Sequence, residues 1–192
     1  MSYVIRKAVE SEKLNIARTI AYSFEKDFSG FAKDMDCLAK ALEEGIATHR
    51  FIVAEQNGEL VGVLGYADGE GRPISVAKKD CRKYMGFFKG FVAHMVLVEE
   101  FMLPLNCPNS VGCVDVVGVL ETARGQGIAK SLLEEAVRYN SSHSEVILNV
   151  TEINSTAIRL YENFGFVEYK RMPYKFAKSA GFKEKVHMRY TK

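Results

Sequence analysis

One strand, with the turn behind it, constrains this chain more than any other feature of its sequence. From Val111 to Leu120 it reads V-G-C-V-D-V-V-G-V-L, apolar on both alternating faces except at Asp115. Such a strand belongs at the centre of a sheet that is covered on each side. Arg124-Gly125-Gln126-Gly127 then turns the chain, and Ile128, Leu132, Leu133, Ala136 and Val137 recur at helical spacing on one face. Glu145 to Thr151 reads as a further strand, and Asn154 to Phe164 as a second helix closed by Gly165. A helix that starts behind a glycine turn offers unpaired N–H groups and the positive end of a dipole, which suits a phosphate.

The rest of the chain supplies what such a strand needs. Tyr3 to Ala8 reads as a short strand, and Leu14, Ala17, Ile20, Ala21 and Phe24 mark the apolar face of a helix. A second helix is predicted over 32–44, with Gly45 just past its end. Arg50–Gln56 and Glu59–Ala67 are predicted strands joined at Asn57-Gly58, a strong hairpin signal. Asp68 to Pro73 is a turn cluster, Ser75 is a candidate helix cap, and 76–102 reads as one or two helices rich in phenylalanine. Pro104, Cys107 and Pro108 mark a loop, and Phe166–Arg171 and Lys185–Tyr190 are two more strands. With 192 residues, 47% of them hydrophobic, the chain can bury one ordinary core. The expectation is a single α/β domain over 1–192: a mixed central sheet with helices on both faces, and a helical insertion at 68–110 between the third and fourth strands.

Several function classes are set aside by composition. No apolar run approaches the roughly 20 residues that span a bilayer, and the first residues lack the apolar core of a signal peptide. Neither a membrane partner nor a secreted chain is expected, and the localisation read from this is cytoplasmic. Cys37, Cys81, Cys107 and Cys113 show no C-x-x-C spacing, so free thiols in a reducing compartment are expected. His49, His94, His143 and His187 are scattered, which argues against a metal. Residues 168–192 carry eight Lys/Arg against two acids, +6 in a chain of net charge +2. Without a reading motif that segment is a solvated basic face, and no nucleic-acid partner is expected.

The glycine turn discriminates among phosphate-binding motifs by its spacing. A dinucleotide fingerprint starting at Gly125 needs a third glycine at Lys130, and a P-loop ending at Ser131 needs glycines at Arg124 and Ala129; both fail. What fits is R-x-x-G-x-A, spelled Arg124-Gly125-Gln126-Gly127-Ile128-Ala129. It resembles the pyrophosphate-binding signature of the GNAT superfamily of coenzyme A-dependent N-acetyltransferases, Q/R-x-x-G-x-G/A. Residues 154–166, N-S-T-A-I-R-L-Y-E-N-F-G-F, are similar to a second segment of that superfamily, N-x-x-A-x-x-L-Y-x-x-x-G-F, at every named position. The likeness covers 111–171 firmly, extends over Tyr3 to Ala67, and lapses at 68–110.

The resemblance implies roles for particular residues. Backbone N–H groups from Arg124 through Gly125, Gln126, Gly127, Ile128 and Ala129 to Lys130 would hold the pyrophosphate of acetyl-coenzyme A, the co-substrate. A backbone N–H near Val117 to Val119 would stabilise the thioester oxygen where the central strand splays from its parallel neighbour. Tyr161, which holds its proton at neutral pH, would be the general acid, with Asn154 and Ala157 beside the coenzyme arm; Asn154 is equally suited to capping its helix. Asp115, a lone carboxylate on an apolar strand, is a candidate base, directly or through a water, and the alternative is a structural ion pair with a cation. Cys107 and Cys113 are inert thiols on this reading. Phe24, Phe28, Phe31, Phe87, Phe88 and Phe91 would frame the acceptor groove; those left exposed would mean a substrate with an apolar part. The function implied is acetyl transfer to a primary amine, on a small molecule or a peptide, without a metal. A coenzyme A-binding regulatory domain is the alternative, and a homodimer is left open.

Overall fold

The computed structural model describes residues 2–67, 70–102, 111–139, 143–175, 177 and 181–192. Asp68, Pro104, Cys107 and Pro108, all singled out above, lie outside them. Strand β1 (Val4–Lys7) leads through a single 3-10 turn into α1 (Lys13–Ser23), α2 (Glu25–Phe28) and α3 (Met35–Glu43). The hairpin β2 (Phe51–Gln56) and β3 (Glu59–Ala67) follows, then α4 (Lys78–Met85) and α5 (Phe87–Phe101). The second half runs β4 (Val111–Val119), α6 (Ile128–Tyr139), β5 (Glu145–Thr151), α7 (Ser155–Phe164), β6 (Val167–Pro173) and β7 (Glu184–Thr191). Among the described residues seven strands form one sheet in the order β1-β2-β3-β4-β5-β7-β6, in which β4 and β5 are the parallel pair.

Local chemistry explains most of these elements. Asn57 and Gly58 both take positive φ, 55° and 82°, as the two-residue turn of the β2–β3 hairpin requires. Asp34 caps α3 by accepting the Cys37 N–H at 3.0 Å, and Gly165 closes α7 in the left-handed conformation. Gly45 has a different reason from the one its sequence position implies. A Cβ there would lie 1.8 Å from the Ser75 carbonyl oxygen, and Ser75 N–H donates to the Gly45 carbonyl at 2.9 Å. Ser75 therefore ties the end of α3 to the segment before α4, whose N-cap is Ala77 with no side-chain bond; it does not cap a helix.

The core has two layers, one on each face of the sheet. Ile16 and Ile20 of α1, Leu38 and Leu42 of α3, Cys81 of α4 and Leu97 of α5 pack against Val53, Val63 and Val116. On the other face Ile128, Leu132 and Leu133 of α6 and Tyr161 of α7 pack against Ile52, Leu64, Val114, Leu148 and Val186. The mixed α/β domain with helices on both faces agrees with the sequence reading. Gly90 of α5 lies so close to α4 that a Cβ would meet the Cys81 carbonyl oxygen at 2.3 Å. Of the cysteines, Cys37 and Cys81 are free, as expected, whereas Cys113 is disulfide-bonded. The free-thiol expectation fails there because sulfur pairing depends on proximity in the fold, which spacing along the chain does not report.

β4 carries a bulge. Gly65 lies opposite Val116 and Tyr66 opposite Val114, which leaves Asp115 as the extra residue. Period-two alternation sets Asp115 on the side of Cys113, Val117 and Val119. The bulge interrupts that alternation: Val114 and Val117, three residues apart, both belong to the layer under α6.

Candidate active site

The turn into α6 is shaped for an anion. Gly125 and Gly127 have φ of 77° and 82°, conformations that cost an L-residue about 1–2 kcal/mol. A Cβ at Gly125 would meet nothing within 4 Å, so the turn faces open space. The first backbone bond entering α6 runs from Ser131 N–H to the Gly127 carbonyl, 3.1 Å, so the N–H groups of Ile128, Ala129 and Lys130 have no helical partner. The N–H of Arg124, by contrast, donates to the Glu121 carbonyl at 3.3 Å. The Arg124 side chain holds the turn in place, donating to the carbonyls of Val119 (3.1 Å) and Ser23 (2.9 Å). Gln126 accepts from Gln56 at 3.0 Å, and the Ser131 hydroxyl meets that of Tyr3 at 2.9 Å. Lys130 pairs along the helix with Glu134 at 3.6 Å, an exposed contact of little energetic weight.

β4 and β5 part beside this turn. Their ladder consists of Val111–Glu145, Gly112–Val146 and Cys113–Ile147, although β4 continues to Val119 and β5 to Thr151. Among the described residues nothing pairs with β5 along β4 beyond Cys113, so Val117 and Val119 lie on a strand whose β5-facing edge is open. A cavity of about 250 Å³ occupies the start of the gap, with Cys113 to Asp115 on one wall and Ile147 to Asn149 on the other. At the end of α1, Gly118 admits Ser23: a Cβ on Gly118 would stand 3.0 Å from the serine Cβ.

The cavity wall is charged and largely paired. Arg72 grips both oxygens of Asp115, with Nε 2.9 Å from Oδ2 and Nη2 on Oδ1, and also donates to the Glu100 carbonyl at 2.8 Å. The Asp115 side chain is 1% exposed, and burial pushes its carboxyl up while Arg72 pulls it back down. Lys185 bonds both Glu100 oxygens, at 2.9 and 3.0 Å. Tyr174 is pushed up to about 12 by burial and by Glu100 and Glu99. His187 is pushed below its ordinary value by burial and by Lys170 and Lys185, so its imidazole is neutral at pH 7.

Tyr161 is buried in the layer under α6 and α7, its ring 5.9 Å from that of Phe166. Burial alone pushes its hydroxyl up to about 12. It does not line the cavity, but it belongs to the same packed layer as Val114 and Leu148, which do. Asn154 caps α7, accepting from the Ala157 N–H at 3.1 Å. Thus Asp115 lines the cavity while the glycine turn and Tyr161 stand outside its wall. Sequence reasoning missed Arg72, Glu100, Tyr174, Lys185 and His187. The excess of cations in 168–192 was the one signal for Lys185, which pairs with Glu100, whereas the cation on Asp115 is Arg72. The exposed aromatics Phe87, Phe88 and Phe91 do not line this cavity, while Phe28 is core.

Among the described residues no helix is long and apolar enough to cross a membrane, and no group of three or more His, Cys, Asp or Glu could hold a metal ion. A 63-residue stretch is 43% identical to N-alpha-acetyltransferase 30 of Saccharomyces cerevisiae, covering 32% of this chain and 36% of that protein. Another, of 66 residues, is 38% identical to the mycothiol acetyltransferase of Frankia casuarinae, covering 33% of this chain and 19% of that one. The chain therefore matches about a third and a fifth of the length of these relatives. An N-acetyltransferase from Staphylococcus aureus Mu50 superposes with a TM-score of 0.64 at 16% identity, over 97% of this chain and 100% of that one. A structure described as an acetyltransferase superposes with a TM-score of 0.61 at 22% identity, over 98% of each chain. The model of the acetyltransferase (GNAT) family matches residues 18–166, from α1 through β4, the glycine turn and α7, and the chain belongs to that family.

Proposed function

We propose that this chain transfers the acetyl group of acetyl-coenzyme A directly to a primary amine. The observation that carries the reading is the open glycine turn at α6 beside the parting of β4 from β5. A pyrophosphate suits the turn, because the N–H groups of Ile128, Ala129 and Lys130 lack helical partners and a Cβ at Gly125 would project into free space. Acetyl-coenzyme A, when bound, supplies an activated acetyl carbon on a good leaving group.

The chain's own groups do the rest. The N–H groups of Gln126 to Lys130 bind the pyrophosphate, and Asn154 and Ala157 flank the coenzyme arm. A backbone N–H on the open edge of β4, at Val117 or Val119, donates to the carbonyl oxygen as charge develops there. Asp115 accepts the amine proton through a water, since Arg72 occupies both of its oxygens. Burial raises its carboxyl and makes it a stronger base than an exposed aspartate. The bond from nitrogen to the acetyl carbon forms as the carbon–sulfur bond breaks, and Tyr161, protonated throughout the neutral range, gives its proton to the departing sulfur. Asp115 then passes its proton to solvent through the same water, and the phenolate regains one from solvent. The acids that line the cavity, Glu99, Glu100 and Asp115, are matched in number by Arg72, Lys175 and Lys185, so charge alone does not select the acceptor. Relatives named for an N-alpha position and for a small thiol support either a peptide N-terminus or a small-molecule amine.

The test is thermal unfolding with acetyl-coenzyme A, coenzyme A or ATP, followed by thiol release on a panel of peptides and small amines. At 100 times its dissociation constant a ligand selective for the native state adds about 2.7 kcal/mol. A shift with the coenzymes and not with ATP, and thiol release that depends on one amine class, is the expected result. No shift with either coenzyme overturns the reading.

A further inference from the structure

The α4–α5 pair presents a face that lies outside the cavity wall. α5 buries Gly90, Ala93, Leu97 and Phe101 against the domain, and turns Phe87, Phe88, Phe91, Val92 and Met95 outward. Phe88 is 82% exposed and Phe87 62%, far more than a lone surface phenylalanine requires. These side chains recur at three- and four-residue spacing, so they form one apolar ridge along the helix. Cations stand beside the ridge. The ammonium of Lys78 lies 4.9 Å from the Phe91 ring centre, and the guanidinium of Arg82 lies 4.3 Å from that of Phe87. Between Lys78 and Met95 the chain carries five Lys/Arg and a single acid, Asp80, which is buried.

We propose that this face is a docking surface for an anionic lipid bilayer. An amphipathic helix with an apolar ridge flanked by lysines lies in the plane of the headgroups, its aromatic side chains entering the acyl boundary and its cations meeting lipid phosphates and carboxylates. A second copy of the chain fits poorly, because a two-fold contact through this ridge would set the same five cations against themselves. The sequence reading expected no membrane partner because it looked for a span; a surface helix needs none. Glu99 and Glu100, at the other end of α5, line the cavity. They stand about 18 Å along the helix axis from Phe88.

The test is co-sedimentation of the full chain with vesicles of phosphatidylcholine alone, and of phosphatidylcholine with about one third phosphatidylserine. Partitioning is expected to be at least about tenfold stronger onto the anionic vesicles and to weaken with added salt. Phe88→Asp with Phe91→Asp lowers it by about tenfold or more, and so does Lys79→Glu with Lys83→Glu. All four residues are exposed, so the unfolding midpoint and the shift with acetyl-coenzyme A stay unchanged. That separates failure of this proposal from failure of the acetyl-transfer reading. Equal affinity for neutral and anionic vesicles, no binding to either, or binding indifferent to Phe88→Asp overturns the proposal. So does a concentration-dependent dimer in sedimentation equilibrium that Phe88→Asp dissolves, since the ridge would then be a self-association surface.

Discussion

Replacing Arg72 by methionine puts the buried ion pair at the cavity under direct test. The Asp115 side chain is 1% exposed, and Arg72 bonds both of its oxygens. Without Arg72 the carboxylate stays charged and unpaired, at about 3–5 kcal/mol, or takes up a proton. Protonation costs about 1.4 kcal/mol for each pH unit above the ordinary aspartate value near 3.9, or about 4 kcal/mol at pH 7. The Glu100 carbonyl also loses its donor from Arg72, about 1 kcal/mol that does not depend on pH. The expected loss at pH 7 is therefore about 4–5 kcal/mol. Its pH dependence follows from the direction of the shift. In the variant the folded carboxyl titrates far above its unfolded value, so the folded state holds the extra proton and stability falls as pH rises, by about 1.4 kcal/mol per unit. The wild-type carboxyl is raised by burial too, but Arg72 holds it lower, so the two proteins diverge only above the wild-type value. Urea midpoints between pH 5 and 8 read this out, and Arg72→Met with Asp115→Leu is expected to recover most of the loss. A loss below about 1 kcal/mol at pH 7, or one that is flat with pH, would refute the account of Asp115 as a buried charge that depends on its partner.

Three further outcomes are expected. Gly127→Val forces a β-branched residue to a φ of 82°, costs about 2 kcal/mol or more, and abolishes the unfolding shift with acetyl-coenzyme A; a retained shift would mean that the turn does not bind the coenzyme. Asn154→Ala removes the cap on the Ala157 N–H and lowers stability by about 1 kcal/mol in urea titrations, whereas Asn154→Asp does not. Tyr161→Phe keeps the ring and its packing, so the urea midpoint barely moves while kcat falls about a hundredfold; an unchanged rate across the pH range would remove Tyr161 from the chemistry.

What the sequence made legible follows the range of the interactions involved. The β2–β3 hairpin, the capped α7 and the turn into α6 are each fixed within a dozen residues, by Asn57-Gly58, Asn154 with Gly165, and Gly125 with Gly127. Spacing along the chain reports such features directly. The cavity wall is different: Arg72 reaches Asp115 across 43 residues and Lys185 reaches Glu100 across 85. No local periodicity reports those approaches. The expectation that Asp115 is a base or paired with a cation rested on the energetics of a buried charge, and the structure supplies the cation, Arg72. The same limit applies to the bulge. Alternation along β4 reads as continuous because V-D-V-V holds one polar residue among apolar ones, and only the register with β3 reveals that Asp115 is extra. A bulge at that point turns a carboxylate that would otherwise share the side of Val117 and Val119 into part of a wall with Arg72, beside the stretch where β4 leaves β5. The residue least at home in the strand is thus the bulge residue, and its departure from a regular sheet puts it in the cavity wall with Arg72.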